Sequence, residues 1–165
     1  MNHGVLKTLK GGNMKITGLT AVALVFGASV AMAEVVPPKE VKFTEEGAVE
    51  TPVTTTPGNP ANGRKVFAHR KKGNCLACHQ NSDMKDLPFH GEIGPSLDGV
   101  ADRYSEAELR GIVVNAKRAL DSDTIMPAFY KDWGFRRVLK KFEGKSILTA
   151  QEVEDVVAYL KTLKE

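Results

Sequence analysis

Apolar side chains recur every three or four positions in two stretches of the chain, and this spacing predicts two amphipathic helices. Both stretches, YSEAELRGIVVNAKR and LTAQEVEDVVAYLKTLKE, fit one face of a helix with about 3.6 residues per turn. Ser105 with Glu108, and Thr149 with Glu152, have the spacing of a capping box, which marks a helix start. The predicted apolar faces are Leu109, Ile112, Val113 and Ala116 in the first helix, and Val153, Val156, Val157, Leu160 and Leu163 in the second.

A third, shorter helix is predicted before these two. Asn59 followed by Pro60 fits an N-cap residue and the first helical position, and the helix is expected to end near Lys71. Gly63 on this helix would let another helix cross it closely. The sequence contains no strand-like alternation and no internal repeat, so it predicts an all-α domain over residues 59–165.

The first 33 residues have the three-part layout of a secretory signal peptide. Lys15 gives a positive start, residues 16–33 carry no charge, and a small-x-small cleavage motif ends at Ala33. The uncharged run is 18 residues long, shorter than the roughly 20 that a membrane-spanning helix needs. Cleavage and export are therefore expected, with a retained membrane anchor as the alternative. The sequence leaves open whether Met1 or Met14 is the start.

Residues 34–58, between the signal peptide and the helical domain, are rich in Pro, Thr and Glu and have no sustained period. This composition predicts an extended, mobile tail. Removal of the signal peptide takes away three lysines and no acidic residue, so the formal charge falls from +3 to 20 − 20 = 0. A neutral mature chain lacks the positive charge of a typical nucleic-acid-binding protein.

Both cysteines of the chain lie in the sequence GNCLACHQ, and His79 follows the second one directly. A disulfide between Cys75 and Cys78 would close a very small loop and stabilise the fold little. A redox dithiol would need a thioredoxin-like βαβ context, and structural zinc would need a fourth ligand. The Cys-x-x-Cys-His spacing instead favours one covalent haem c, with thioethers to Cys75 and Cys78 and with His79 as an axial iron ligand. Export fits this interpretation, because covalent haem attachment is typical of the bacterial periplasm.

Proline residues mark two further candidates around the iron. The carbonyl of Pro95 has no competing N–H beside it and is expected to fix the ring of His79. Pro127 favours an extended backbone at Met126, from which the thioether can reach the far side of the haem. Ligation by His79 and Met126 would fill both axial positions, which suits electron transfer rather than the binding of oxygen or peroxide.

Three other side chains are weighed as the second axial ligand. Met84 and His69 lie within ten residues of His79, which makes the far side of the haem hard to reach. His90 is eleven residues from His79 and is kept as the alternative to Met126.

The segments GNCLACH, IGPSLDGVADR, TIMPAFY and ILTAQEVEDVVAYLKTL together resemble the SoxX family, over residues 60–165. The resemblance implies a class I cytochrome c-like fold around one covalent haem c. It also implies that the haem ligands of the family correspond to Cys75, Cys78, His79 and Met126. Members of this family are the monohaem subunits of SoxAX complexes, which work in periplasmic thiosulfate oxidation.

The resemblance further implies a division of labour in a heterodimer. A SoxA-like cytochrome would couple thiosulfate to a cysteine of a carrier protein, as an L-cysteine S-thiosulfotransferase, while this chain accepts the electrons and carries no catalytic residue. After haem attachment the chain has no free cysteine of its own. An accessory subunit and a downstream cytochrome c are further expected partners. A free-standing periplasmic electron carrier to a terminal oxidase is the alternative.

Two candidate contact surfaces for a partner stand out. One is basic and flanks the attachment site; a solvated helix face is its plainer interpretation, and a rim that steers an acidic partner is the functional one. The other combines aromatic and Arg side chains, which are favoured as interface anchors. The first surface comprises Arg64, Lys65, Arg70, Lys71 and Lys72, and the second comprises Trp133, Phe135, Arg136 and Arg137.

Overall fold

The computed structural model describes Met1 and residues 33–165, and its α-helices all lie in this second range. They are α1 (Pro60–Ala68), α2 (Val100–Arg103), α3 (Glu106–Ala119) and α4 (Ala150–Leu160). Single 3-10 turns occur at Pro38–Glu40, Cys75–Ala77, Ser82–Met84 and Lys140–Phe142. The described residues contain no β-sheet, only one isolated bridge between Val35 and Thr54. The all-α prediction is therefore confirmed for this part of the chain.

The predicted signal peptide falls almost wholly on residues 2–32, which lie outside the described part of the chain. Among the helices that are described, none is both long and apolar enough to cross a membrane.

The predicted helix starts agree with the structure. Ser105 caps α3 and Thr149 caps α4, each with both hydrogen bonds of a capping box. Asn59 caps α1 by accepting from two N–H groups of the first turn. However, α1 ends at Ala68 rather than near Lys71, because His69 has an extended backbone with ψ 113°. Two later N–H groups bond the His69 carbonyl and turn the chain towards the cysteines.

Helix α3 contains a break that the sequence does not predict. Asn115 has φ −158° and ψ 89°, outside the helical range. The carbonyl of Val114, just before the break, accepts a hydrogen bond of 3.1 Å from the N–H of Tyr130. The break thus ties α3 to the segment that follows Met126 in the chain.

Helices α1 and α4 cross in direct contact at Gly63. A Cβ atom added at this position would lie 1.9 Å from the carbonyl oxygen of Asp155, so only glycine fits. Phe67 of α1 meets Tyr159 of α4 edge-to-face, with 5.5 Å between ring centroids. The predicted apolar face of α4 is buried in the same core, and the close crossing predicted from Gly63 is present.

Residues 34–58 pack on the domain, which corrects the prediction of a mobile tail. Val49 and Val53 are fully buried, and the N–H of Val53 donates to Glu154 Oε1 over 2.8 Å. The sequence pattern does not predict this packing because the segment has no α-helix or sheet of its own. Some of its backbone groups bond side chains 94 and 101 residues away, and no local period records such contacts.

A buried ion pair fastens this segment. Arg110 of α3 donates from Nε to both carboxylate oxygens of Glu154 in α4, at 2.9 and 3.1 Å. Its guanidinium also donates to the Val49 carbonyl and to Glu106, at 2.9 and 2.8 Å. Because the side chains of Arg110 and Glu154 are only 3% and 6% exposed, loss of one leaves the charge of the other buried and unpaired.

Replacing Arg110 with Ala is therefore expected to lower the free energy of unfolding by about 3–5 kcal/mol. Denaturant unfolding of the haem-loaded protein measures this change. Lys65→Ala is the matched control, since Lys65 is an exposed cation on α1, and its substitution should change the free energy by less than about 0.5 kcal/mol. Equal stability of the two variants would show that the buried pair does not hold the segment.

Candidate functional site

The two cysteines lie on one tight turn that follows α1. Asn74 has left-handed backbone angles, φ 49° and ψ 34°, and the 3-10 turn Cys75–Ala77 comes directly after it. The N–H groups of Cys78 and His79 both donate to the Cys75 carbonyl, at 3.1 and 3.0 Å. The turn therefore holds two half-buried thiols and an imidazole within five residues, and neither thiol is in a disulfide.

The environment of the Cys75 thiol disfavours redox chemistry. Desolvation raises the pKa of the Cys75 thiol to about 12, so the reactive thiolate is scarce at neutral pH. Across Met1 and residues 33–165, no three His, Cys, Asp or Glu side chains converge as a metal-ligand group. Attachment through two thioethers requires neither a stable thiolate nor a third protein ligand at the sulfurs.

The segment 91–97 runs beside the cysteine turn and places Pro95 against His79. The Pro95 carbonyl lies 2.7 Å from Nδ1 of the imidazole, which is the contact expected from the sequence. This contact uses Nδ1 and leaves Nε2 available to an iron atom. Three backbone bonds fix the alignment: Gly91 N–H to Leu76 carbonyl at 2.7 Å, Gly94 N–H to Cys78 carbonyl at 2.8 Å, and Leu97 N–H to Gln80 carbonyl at 3.0 Å.

The imidazole of His79 also rests directly on Gly94. A Cβ atom at this glycine would lie 2.3 Å from Cε1 of the ring, closer than any side chain tolerates. The ring is thus held in its plane by a carbonyl at one edge and by bare backbone at one face. This arrangement fits an axial haem ligand whose orientation must be fixed.

Gly94→Ala should consequently displace the His79 ring while the cysteines still carry haem. We expect the stability of the axial bond to fall by on the order of tenfold, as for other changes to the support of a metal ligand. Absorbance and electron paramagnetic resonance spectra would then show a high-spin fraction. Ser96→Ala is the control, because Ser96 is exposed and its carbonyl is unchanged. A fully low-spin Gly94→Ala protein would contradict the proposal that contact with Gly94 fixes the His79 ring as an axial ligand.

Met126 is half-buried and borders the core cluster that also includes the cysteine turn. Its N–H is 3.4 Å from Thr124 Oγ1, and the Thr124 carbonyl accepts from Lys117 Nζ of α3. On its C-terminal side, Tyr130 bonds the Val114 carbonyl of α3. Helix α3 therefore holds the Met126 segment at both ends.

The other candidate ligands are engaged elsewhere. Nδ1 of His90 accepts from the N–H of Asn81 at 3.3 Å, and Nε2 lies 3.1 Å from the Met84 carbonyl. Both ring nitrogens of His90 are thus used. Met84 has 0% exposure in the core, and the exposed His69 accepts from the N–H of Lys71. The side chain of Met126, by contrast, is neither hydrogen-bonded like the two histidines nor fully buried like Met84.

A polar network beside the site was not predicted. Buried Asn81 donates to the Tyr159 hydroxyl at 2.9 Å, and that hydroxyl donates to Asp83 at 2.7 Å. Desolvation and the bond to Asp83 raise the pKa of Tyr159. Arg64, from the predicted basic rim, is paired with Asp83 at 3.0 Å and with Asp86 at 2.9 Å. Arg64 of that rim is therefore engaged in ion pairs within the domain. The residues of this polar network have no periodic spacing in the sequence, so no pattern could predict it.

The family model described as cytochrome c matches residues 60–164 of the chain. A chain in the crystal structure of SoxXA from P. pantotrophus is 50% identical, with a TM-score of 0.73, and the match covers 79% of this chain and 99% of that one. The c-type cytochrome SorU from Sinorhizobium meliloti is 27% identical, with a TM-score of 0.42, covering 64% and 90%. Ferric cytochrome c-550 from Paracoccus versutus is 24% identical, with a TM-score of 0.37, covering 66% and 99%. No curated protein matches the chain.

Proposed function

The chain belongs to the cytochrome c family, and we propose that it is the SoxX-like, electron-transfer subunit of a two-cytochrome complex. The observation that carries the proposal is the 50% identity to a SoxXA chain over 99% of that chain's length. The geometry of the cysteine turn supports it, because the thiols and the imidazole suit covalent haem rather than zinc or disulfide chemistry.

The cofactor is one covalent haem c, which supplies a one-electron ferric–ferrous couple. Cys75 and Cys78 would hold it through thioethers. His79 would bind the iron through Nε2, and the Pro95 carbonyl would fix the ring through Nδ1. Met126 would supply the second axial ligand from a segment that α3 holds at both ends. With both positions filled by protein, substrate has no access to the iron.

The two axial ligands affect the reduction potential of the haem, and the potential relative to the partner sets the direction of electron flow. A neutral thioether favours ferrous over ferric iron and so raises the reduction potential, compared with two imidazoles. The chain is therefore suited to receive electrons from a partner of lower potential.

The proposed partner is a catalytic SoxA-like cytochrome in the periplasm. Coupling a carrier-protein thiol to thiosulfate forms a sulfur–sulfur bond, releases the thiol proton and yields two electrons. This chain has a single one-electron site, so it must be reoxidised twice in each cycle. A downstream cytochrome c is the proposed acceptor, and an accessory subunit is a further proposed member of the complex.

The test is purification of the tagged chain, exported with its haem, from its native host. A second cytochrome should elute with it at equal amount. Adding thiosulfate and the carrier protein to this complex should then reduce the haem of this chain, as followed by its absorbance. A chain that elutes alone and serves an oxidase directly would instead establish the free-standing carrier.

A further inference from the structure

Residues 131–147 form a loop that leaves and rejoins the domain at one point. The N–H of Leu148 donates to the Phe129 carbonyl at 2.9 Å and closes the base of the excursion. Within the loop, the 3-10 turn Lys140–Phe142 is the one regular element that the structure describes. None of the loop residues is buried. Compact surface loops closed at the base in this way are frequently binding elements.

The loop exposes an unusual amount of apolar surface. A single exposed apolar side chain is ordinary, whereas a contiguous group marks an interaction site. Here five large apolar side chains of the 17-residue loop are exposed. Their exposed fractions are 38% for Trp133, 47% for Phe135, 62% for Leu139, 48% for Phe142 and 44% for Ile147.

The same loop is strongly basic, and two of its lysines lie close to its aromatic rings. Lys131 Nζ lies 5.5 Å from the ring centroid of Trp133 and 5.4 Å from that of Phe135. Lys141 Nζ lies 5.0 Å from the Phe142 centroid. Each of these ammonium groups is therefore within cation–π distance of a ring. Six basic and two acidic residues give the loop a formal charge of 6 − 2 = +4: Lys131, Arg136, Arg137, Lys140, Lys141 and Lys145, against Asp132 and Glu143.

We propose that the 131–147 loop is the docking surface for the partner cytochrome subunit, through an acidic patch on that subunit. The proposal rests on the function proposed above. Positive charge calls for an acidic counterpart, and aromatic and Arg side chains are the residues enriched at protein interfaces. Transient electron-transfer contacts are small, whereas permanent interfaces are larger and more apolar. The apolar content of the loop therefore favours the permanent subunit over a transient acceptor.

The loop lies close to Met126 along the chain. The loop begins five residues after Met126, and its base, Phe129 to Leu148, continues the segment that α3 holds. A subunit bound to the loop would thus contact a part of the protein that directly follows the segment of Met126, the proposed axial ligand.

Two loop variants test the proposal in the complete, haem-loaded chain. The apolar variant is Trp133→Ser with Phe135→Ser and Phe142→Ser, and the charge variant is Arg136→Glu with Arg137→Glu and Lys140→Glu. Leu120→Ser is the apolar control, since Leu120 is exposed outside the loop. Lys39→Glu with Lys42→Glu is the charge control, since both lysines are exposed and lie outside the two candidate contact surfaces. Absorbance and circular dichroism should match the wild type in all four proteins.

Each loop variant should bind the co-purified cytochrome subunit at least about tenfold more weakly than the wild type, as loss of interface anchors does. The controls should bind like the wild type. Loop variants that bind the subunit normally would overturn the proposal, including the case in which they lose only binding to anionic lipid vesicles or to the downstream acceptor. A wild-type chain that captures no second cytochrome would overturn the proposed function as well, so the two failures are distinguishable.

Discussion

Met126→His is expected to keep the haem attached and to lower its reduction potential by on the order of 0.2 V, a fraction of the roughly 0.8 V over which axial ligands tune haem proteins. The haem stays because Cys75, Cys78 and His79 are unchanged. The potential falls because a second imidazole favours ferric iron more than a thioether does. Redox titration followed by absorbance measures the shift. Electron acceptance from the partner should fall with the potential.

A companion pair of variants shows whether Met126 is the ligand. Met126→Ala should lose the weak absorbance band in the red that marks Met–ferric haem ligation, and should bind added imidazole. Met84→Leu is the control, because it replaces a fully buried Met with a side chain of similar volume. That variant should keep the band. The opposite result, with the band lost in Met84→Leu and kept in Met126→Ala, would reject the assignment.

Replacing both cysteines with Ala should abolish covalent haem attachment completely. Two thioethers need two sulfurs, and the described residues contain no cysteine other than Cys75 and Cys78. The exported wild type should have the mass of a chain beginning at Glu34 plus one haem, and the double variant should lack the haem mass. Because the haem is expected to be the largest apolar group of the core, the variant should also unfold at much lower denaturant concentration.

Intact mass spectrometry of the protein recovered from the periplasm measures the attachment, and each single cysteine variant serves as an intermediate control with one thioether. A double variant that keeps haem after denaturation would contradict attachment through these residues. A wild-type mass that includes residues 14–33 would reject cleavage of the signal peptide.

The parts of the fold that local chemistry determines could be predicted from the sequence. The capping boxes at Ser105 and Thr149 act over three residues, so the helix starts follow from composition and spacing alone. The buried face of α4 follows from the helical period, as do Leu109, Val113 and Ala116 of α3, whereas the predicted Ile112 is only half-buried. Gly63 could be interpreted as a crossing point because a missing side chain within a helix suggests close packing.

Interactions between distant residues could not be predicted in the same way. The fixed position of residues 34–58 depends on Arg110 and Glu154, which lie on separate helices and give no periodic signal. The break at Asn115 lies beside a bond between Val114 and Tyr130, and this contact likewise lies beyond any local window. Composition alone therefore made a packed segment resemble a mobile tail.

In the candidate site, too, local motifs could be predicted from the sequence, whereas contacts between distant residues could not. Cys75, Cys78 and His79 form a local motif, and the placement of Pro95 at His79 follows because proline supplies a lone carbonyl acceptor. The network of Asn81, Tyr159 and Asp83 had no sequence signal, because Asn and Asp in a loop ordinarily indicate only a turn. Assignment of Met126 as the axial ligand stays a prediction.

Whether the iron passes electrons or binds small molecules is decided most directly by adding carbon monoxide to the reduced wild-type protein. With His79 and Met126 both bound, the absorbance spectrum should stay unchanged after mixing at neutral pH, while reduced Met126→Ala should shift at once. A rapid shift in the wild type would mean an open or labile sixth position. That result would contradict an electron-transfer subunit and favour a haem enzyme or a gas sensor.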